Sequence, residues 1–390
     1  MILLRASCAL LLTGLLMALA AAGPASARPD TEAVLSPLGM VIENPPSAVL
    51  GADGKNHLAY EITIVNQTHS EVRINGVQPR ARGKAFGSPL AGDRLESLLR
   101  VNGAEGPAIP GGGSAMLFID VTYPRRGAKP RRLTHGFNLT LSAPGEPQQH
   151  VAFVGVPTRV GTARAIEVAP PLRGPGWVVG NGCCDPINAH RGATLSIDGT
   201  VHAPERFAID FVQLGTGGRL FDGPIDRLSS WGFFGARIHA ATGGRVVAVQ
   251  DGLPEQTPGA LPTGQTVQTA GGNYLVVKIG KGRWAFYAHL QRGSMRVGKG
   301  DRVRKGQPLG LLGNTGNSDG PHLHFHIMDG PSPLQSNGLP FVYTRFTGQG
   351  LMTDEQALVS GEVAPIDPNT LAGHFRSRMP LGNQVVDFGG

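Results

Sequence analysis

Three histidines stand at alternate positions in the stretch Gly320-Pro-His322-Leu-His324-Phe-His326. On an extended strand, side chains two residues apart share a face and lie about 6.6 Å apart. His322 and His324 can therefore aim two imidazoles into one cleft while Leu323 and Phe325 face a core. Imidazole is the commonest metal ligand and the side chain that titrates near neutral pH. One tripeptide could supply both a metal ligand and a proton-transfer group. An isolated H-x-H is more often a chance exposed pair than a site, so the neighbouring sequence has to decide.

Two other segments carry chemistry on apolar strands. Asp210 ends Arg206-Phe-Ala-Ile-Asp210, and His289 sits within Tyr287-Ala-His-Leu290. A carboxylate buried on such a strand is costly unless it is paired or bound to a cation. Each residue alone reads as structural as easily as functional. Two histidine-bearing strands and one aspartate-bearing strand in a single β region make a shared site the better reading.

The elements that must position these groups read as short strands. Gly (57) and Pro (31) are abundant, and helical periodicity is sparse. In the first half, strands are expected over 58–65, 114–122, 136–142 and 150–156, with turn signals between them. That spacing predicts an immunoglobulin-like β-sandwich over residues 28–160. Its histidines His57, His69, His135 and His150 stand among polar residues and are expected at the surface. A Pro/Gly-rich connection follows. The second block, 161–346, has expected strands over 207–213, 244–250, 273–279, 284–290 and 322–327. A C-terminal extension, 347–390, holds one helix-like piece over 353–358. The fold class is mostly β.

The run Gly300-Asp-Arg-Val-Arg-Lys-Gly-Gln-Pro-Leu-Gly-Leu-Leu-Gly-Asn-Thr-Gly-Asn-Ser-Asp-Gly-Pro-His-Leu-His-Phe325 closely resembles the signature of the M23 (lysostaphin/LytM-like) zinc metallopeptidases. Tyr287-Ala-His-Leu290 looks like that family's Y-x-H-L, and Gly243-Gly-Arg-Val-Val-Ala248 resembles its G-x-V strand. The resemblance covers roughly residues 188–329. It implies an antiparallel β-sheet or hybrid-barrel domain, one Zn²⁺, and hydrolysis of peptide bonds, usually in peptidoglycan stem peptides or cross-bridges. It implies that Asp210 and His324 ligate the metal. His322 and His289 would orient or deprotonate the attacking water and stabilise the oxyanion.

One departure stands out. The family's first motif is H-x-x-x-D, with both ends ligating, and four residues before Asp210 stands Arg206. Arginine cannot replace a zinc ligand, so a third ligand must come from elsewhere. His202 lies eight residues before Asp210, about 26 Å along an extended chain, and Pro204 interrupts the strand. His190 lies across an expected hairpin whose turn is Asp198-Gly199. With residues 197 and 200 paired, His190 falls opposite 207, and one bulge would turn it toward Asp210. A secreted subgroup of the family is similar in having an H-R pair placed this way before R-F-A-I-D, and His190-Arg191 fits it. The expected metal set is His190, Asp210 and His324, with His202 as the alternative to His190. His326, where the family has an acidic residue, is expected either beside the ligands or exposed, rather than among them.

Composition bounds the setting. Met1 to Arg5 is short and basic, Cys8 to Ala22 is nearly unbroken apolar sequence, and Ala25-Ser-Ala27 is a small-x-small cleavage pattern. Residues 1–27 therefore read as a secretory signal peptide, placing the protein in the periplasm or outside the cell, associated with the wall. The formal charge of +7 fits acidic wall polymers. No nucleic-acid-binding motif occurs, and no later segment is apolar for long enough to span a membrane. Only Cys183 and Cys184 remain after the signal segment. Adjacent cysteines can be free thiols, a vicinal bridge or an intermolecular bridge. Two other functions compete with a zinc endopeptidase. One is a silent M23-like module that binds wall or regulates another hydrolase. The other is a biotinyl- or lipoyl-like carrier, for which no lysine in a suitable turn exists.

Overall fold

The computed structural model describes residues 35–184 and 187–390. The expected signal segment, 1–27, lies outside the described residues. The fold is mostly β: among the described residues the α-helices are Gly92–Ser97 and Glu355–Val359. No helix among them is long and apolar enough to cross a membrane. Residues 37–390 form one compact unit.

The first block is two antiparallel sheets over one core. The first sheet runs Leu38–Val41, Lys55–Asn66, Ser114–Pro124, Leu99–Val101. The second is built on Gln149–Arg159, Arg132–Ser142 and Glu71–Ala81. Strand Lys55–Asn66 shows why they pack. Leu58, Tyr60, Ile62 and Ile64, at alternate positions, fill the core that Val72, Ile74, Phe137 and Leu139 share from the other sheet. The alternating residues face the other way, and His57, Ala59 and Glu61 among them are also buried. Ala59 joins the core of the second block, and His57 and Glu61 are 6% and 8% exposed.

The buried positions of His57 and His135 correct the surface placement expected for them; His69 and His150 are exposed. His57 Nδ1 lies 2.7 Å from Asp120 and Nε2 3.1 Å from Asp53. His135 bonds the Tyr60 hydroxyl at 2.6 Å and donates to the Val156 carbonyl. Polar neighbours in the sequence hid both, because the partners that make their burial tolerable are themselves polar.

The second block is a twelve-stranded open sheet. Its centre runs in the order Trp177–Gly180, Ile209–Gln213, Leu323–Met328, Arg283–Leu290, Asn273–Gly280, Gly244–Gln250. The sheet is antiparallel apart from Ile166–Val168, which pairs parallel with Phe341–Tyr343. No sheet among the described residues closes into a barrel, and the expected end of this block at 346 falls inside strand Phe341–Met352. Leu323, Phe325 and Ile327 enter the main core with Phe341, Tyr343 and Tyr287. Their alternates, His324, His326 and Met328, take the opposite face. Cys183 and Cys184 are joined to each other by a disulfide.

The two blocks are stitched by main-chain bonds, including Ala52 N–H to the Met379 carbonyl at 2.9 Å and Met379 N–H to the Leu50 carbonyl at 3.0 Å.

Two outcomes follow for stability. Phe325→Ala empties a fully buried site at the centre of the second core and should cost about 3–5 kcal/mol in urea unfolding. Burial works against a charge on His57, but the Asp120 and Asp53 carboxylates outweigh it and push its pKa up to about 10. A raised pKa means the folded state holds the proton more tightly. This contribution is complete below the ordinary value near 6.5 and is lost as pH climbs to about 10. Unfolding free energies measured across that window should fall more steeply for the parent than for His57→Gln; parallel slopes would show that the pair contributes nothing.

Candidate metal and catalytic site

The site is assembled by strand register. Asp210 pairs with His324, His324 with Ala288, and Gly180 with Asp210, forming one row across four strands. Side chains in one row of a sheet share a face, so the carboxylate and the imidazole stand side by side. Gly180 is required in this row: a Cβ there would meet the Asp210 carbonyl oxygen at 2.9 Å. Two residues further, His326 pairs with Phe286, and its ring lies 5.2 Å from the Phe286 ring.

His289 reaches the same face by breaking the alternation. Ala288 already faces His324, so a regular strand would turn His289 into the core. Its φ of 61° instead swings it back, and the pairing register with Asn273–Gly280 slips at this point. A non-glycine residue in the left-handed region is a local strain, here at the cleft floor. Thr315 holds the ring, its carbonyl accepting from His289 Nδ1 at 2.7 Å. Gly272 and Gly316 allow that approach: a Cβ on Gly272 would meet the Thr315 oxygen at 2.2 Å, and one on Gly316 would meet Gly272 N at 2.2 Å.

His190 arrives from a turn rather than from the hairpin. The expected hairpin forms, with Ile197 paired to Thr200 and Asp198-Gly199 both at positive φ, but pairing ends at Leu195 with His202. Beyond it the chain bends, Gly192 N–H bonding the Asn188 carbonyl and Ala193 N–H the His190 carbonyl. The bend delivers His190 to Asp210, Nε2 to Oδ2 at 3.0 Å. His202 stays on the hairpin, outside the cluster. Asn181 was not singled out in the sequence. Its side chain donates to Asp210 Oδ2 at 2.8 Å, and its carbonyl accepts from His190 Nδ1 at 3.1 Å. The signal for it was an asparagine between glycines, a residue that tolerates the positive φ of 50° found here.

The rings are oriented by their outer nitrogens. His190 Nδ1 and His322 Nδ1 each donate to a carbonyl, those of Asn181 and, at 2.8 Å, Gly320. A carbonyl only accepts, so in the neutral rings both Nε2 atoms are bare. They face Asp210 at 3.0 and 3.4 Å. His324 Nε2 meets His326 Nδ1 at 2.9 Å, and His324 Nδ1 meets Asp210 Oδ1 at 3.0 Å. A neutral set would oppose bare lone pairs to an ionised carboxylate. Positive charge, as ring protons or as one cation, has to lie among them. The same demand is seen in the acidities. Burial opposes both charges, yet the neighbouring imidazoles hold Asp210 well below the usual carboxylate range, and Asp210 lifts His190 to about 9.

One ligand atom each from His190, Asp210 and His324 lies within 4.8 Å of the others. Two imidazoles and a carboxylate, each oriented from behind, suit a zinc ion with one open position. His289 and His322 flank the cluster with ring centres 4.5 Å apart. Burial, and then the nearby His322 and His324, keep His289 neutral. His326 is held neutral by burial and then by His324. All five histidines and Asp210 line one cleft of about 630 Å³. Glu205 and Asp319 line it too, and Leu261 and Val267 are exposed on its rim. No lysine or arginine is among the described residues lining it.

Arg206 is absent from this cleft. It is 5% exposed and bonds Glu61 of the sandwich.

Residues 233–336 match peptidase family M23. Among curated relatives, the peptidoglycan DD-endopeptidase ShyA of Vibrio cholerae is 35% identical over 129 residues, 29% of this chain and 28% of that protein. The glycyl-glycine endopeptidase ALE-1 of Staphylococcus capitis is 34% identical over 147 residues, 32% of this chain and 40% of that protein. The chain therefore spans under a third of the length of ShyA. Of solved structures, the catalytic domain of lysostaphin from Staphylococcus simulans is similar at 23% identity, covering 43% of this chain and 88% of that one with a TM-score of 0.23. The family match contains His289, His322, His324 and His326 and begins after His190 and Asp210. Within this chain, the similarity to peptidase family M23 thus lies in residues 233–336.

Proposed function

We propose that this chain is an exported zinc metalloendopeptidase that hydrolyses peptide bonds, most naturally those of peptidoglycan. The observation that carries the reading is the convergence of His190, Asp210 and His324 on one point of the cleft floor, flanked by two further imidazoles. Names among the relatives support the substrate, as peptidoglycan endopeptidases. The basic and apolar start of the chain and its charge of +7 support export toward an acidic wall.

His190, Asp210 and His324 would hold the metal. A zinc ion there would act as a Lewis acid toward the scissile carbonyl and lower the pKa of a water at its open position. The chain's own groups supply the proton handling. His289 and His322 each fix Nδ1–H on a carbonyl, which leaves Nε2 free to accept a proton from the attacking water. The imidazole that gains the proton becomes a donor, able to stabilise the oxyanion and then protonate the departing amine. Neutral His289 is in the form that can accept. The apolar rim at Leu261 and Val267 offers contacts to the side chains of an extended peptide.

Metal analysis of the purified protein is the direct test: one zinc per chain is expected, and a protein that takes up none removes the enzyme reading in favour of a silent module. His190→Ala should abolish stoichiometric zinc, while His202→Ala should keep it; the reverse pattern would move the third ligand to His202. His322→Ala should retain zinc and lose about 10²–10⁴-fold in turnover of isolated peptidoglycan. Activity within a factor of three of the parent would remove His322 from proton transfer.

A further inference from the structure

The ligand position that Arg206 fails to fill leads to the sandwich. The Arg206 guanidinium turns away from the cleft and grips Glu61 with two nitrogens, Nε to Oε1 at 3.1 Å and Nη2 to Oε2. Glu61 lies on strand Lys55–Asn66 of the first block, on the face turned to the second. The same carboxylate accepts from Arg191, the residue next to His190.

Arg191 is 3% exposed and every arm of its fork is used. Nη1 meets Glu61, Nη2 donates to the carbonyls of Tyr60 and Ile119 at 3.0 Å each, and Nε donates to the Cys184 carbonyl at 3.3 Å. The guanidinium lies over the Phe118 ring, 5.4 Å from its centre. Arg100, also from the first block, donates to the Gly192 carbonyl at 2.8 Å. The turn that carries His190 is thus held on its far side by five residues of the sandwich strands and on its near side by Asn181. Two buried guanidiniums share one carboxylate. Removing that carboxylate would leave two like charges facing each other in an apolar contact, so the arginines would have to move.

We propose that Glu61 is a positioning residue for the metal site: through Arg191 it fixes the turn that presents His190, so the sandwich braces a centre whose ligands all lie in the second block. This rests on His190 being a ligand, as proposed above. It gives the first block a chemical role in the site. It also explains how an arginine is retained where the family signature has a ligand: Arg206 is the second clamp on the carboxylate that holds the substitute in place.

The test uses the full chain and measures zinc affinity by chelator competition, with the visible spectrum of the Co²⁺-substituted protein as a probe of ligand geometry. Glu61→Gln keeps the shape and removes the charge. It should bind zinc about tenfold or more weakly and shift the Co²⁺ bands. Arg191→Lys keeps a charge beside Glu61 but cannot reach both the Tyr60 and Ile119 carbonyls, and should show a smaller change in the same direction. It decides the matter if Glu61→Gln does not fold. Phe137→Leu, in the sandwich core away from Glu61, controls for general destabilisation and should leave zinc affinity and spectrum unchanged. Folded Glu61→Gln or Arg191→Lys protein with the parent's affinity and spectrum would overturn the proposal. So would an equal loss in Phe137→Leu, which would make the effect merely structural. A parent chain that binds no zinc fails the functional reading itself, an outcome distinct from either.

Discussion

The site depends on one pairing, Asp210 opposite His324 in adjacent antiparallel strands. Register in a sheet is an all-or-none choice, since a slip of one residue moves every side chain to the other face. Here the apolar alternates Ile209, Phe211, Leu323, Phe325 and Ile327 fill a single core. Burying them in place obliges Asp210 and His324 to meet on the opposite face. The hydrophobic effect thus assembles a polar cluster that would not assemble itself. Asn181, His190 and His322 then gather around a carboxylate that the sheet has already fixed.

Around that row the chain uses irregular backbone for what regular strands cannot do. His289 is brought round by a left-handed residue, Asn181 by another, and His190 by a bend beyond the end of a hairpin. Each imidazole or its turn is secured by a further contact: Thr315 behind His289, Gly320 behind His322, His326 beside His324, and Glu61 with Arg191 behind the His190 turn. The rigid centre and its supporting contacts come from segments scattered between residues 61 and 326. The site is a property of the whole fold rather than of its signature motif.

That distribution explains what could be read in advance. Period-two patterning placed many strands of both blocks but not Glu71–Ala81, Trp177–Gly180 or Phe341–Met352, and H-x-H, Y-x-H-L and the aspartate after Phe-Ala-Ile picked out four of the site residues. The Asp198-Gly199 turn was legible because its residue types suit positive φ. The route of His190 was not: the register argument extended a hairpin that ends at Leu195, and the corrective element is a bend with no strong signature. His57, His135 and Glu61 were illegible for a different reason. A polar residue with polar neighbours reads as surface, and only the folded chain supplies the distant Asp120, Tyr60 and Arg191 that make burial tolerable.

The cleft has no lysine or arginine among its described lining residues, while the chain as a whole carries +7. Long-range attraction and local recognition are therefore separated in space. A polyanionic surface would draw the outside of the molecule without orienting the cleft toward any one bond. Dissolved salt would weaken adhesion, because exposed charges are screened over about 10 Å, and would leave the buried cluster almost untouched. Such a molecule can stay on a charged lattice and sample it in many orientations, a two-dimensional search in which residence time and the rate at a found site are set independently.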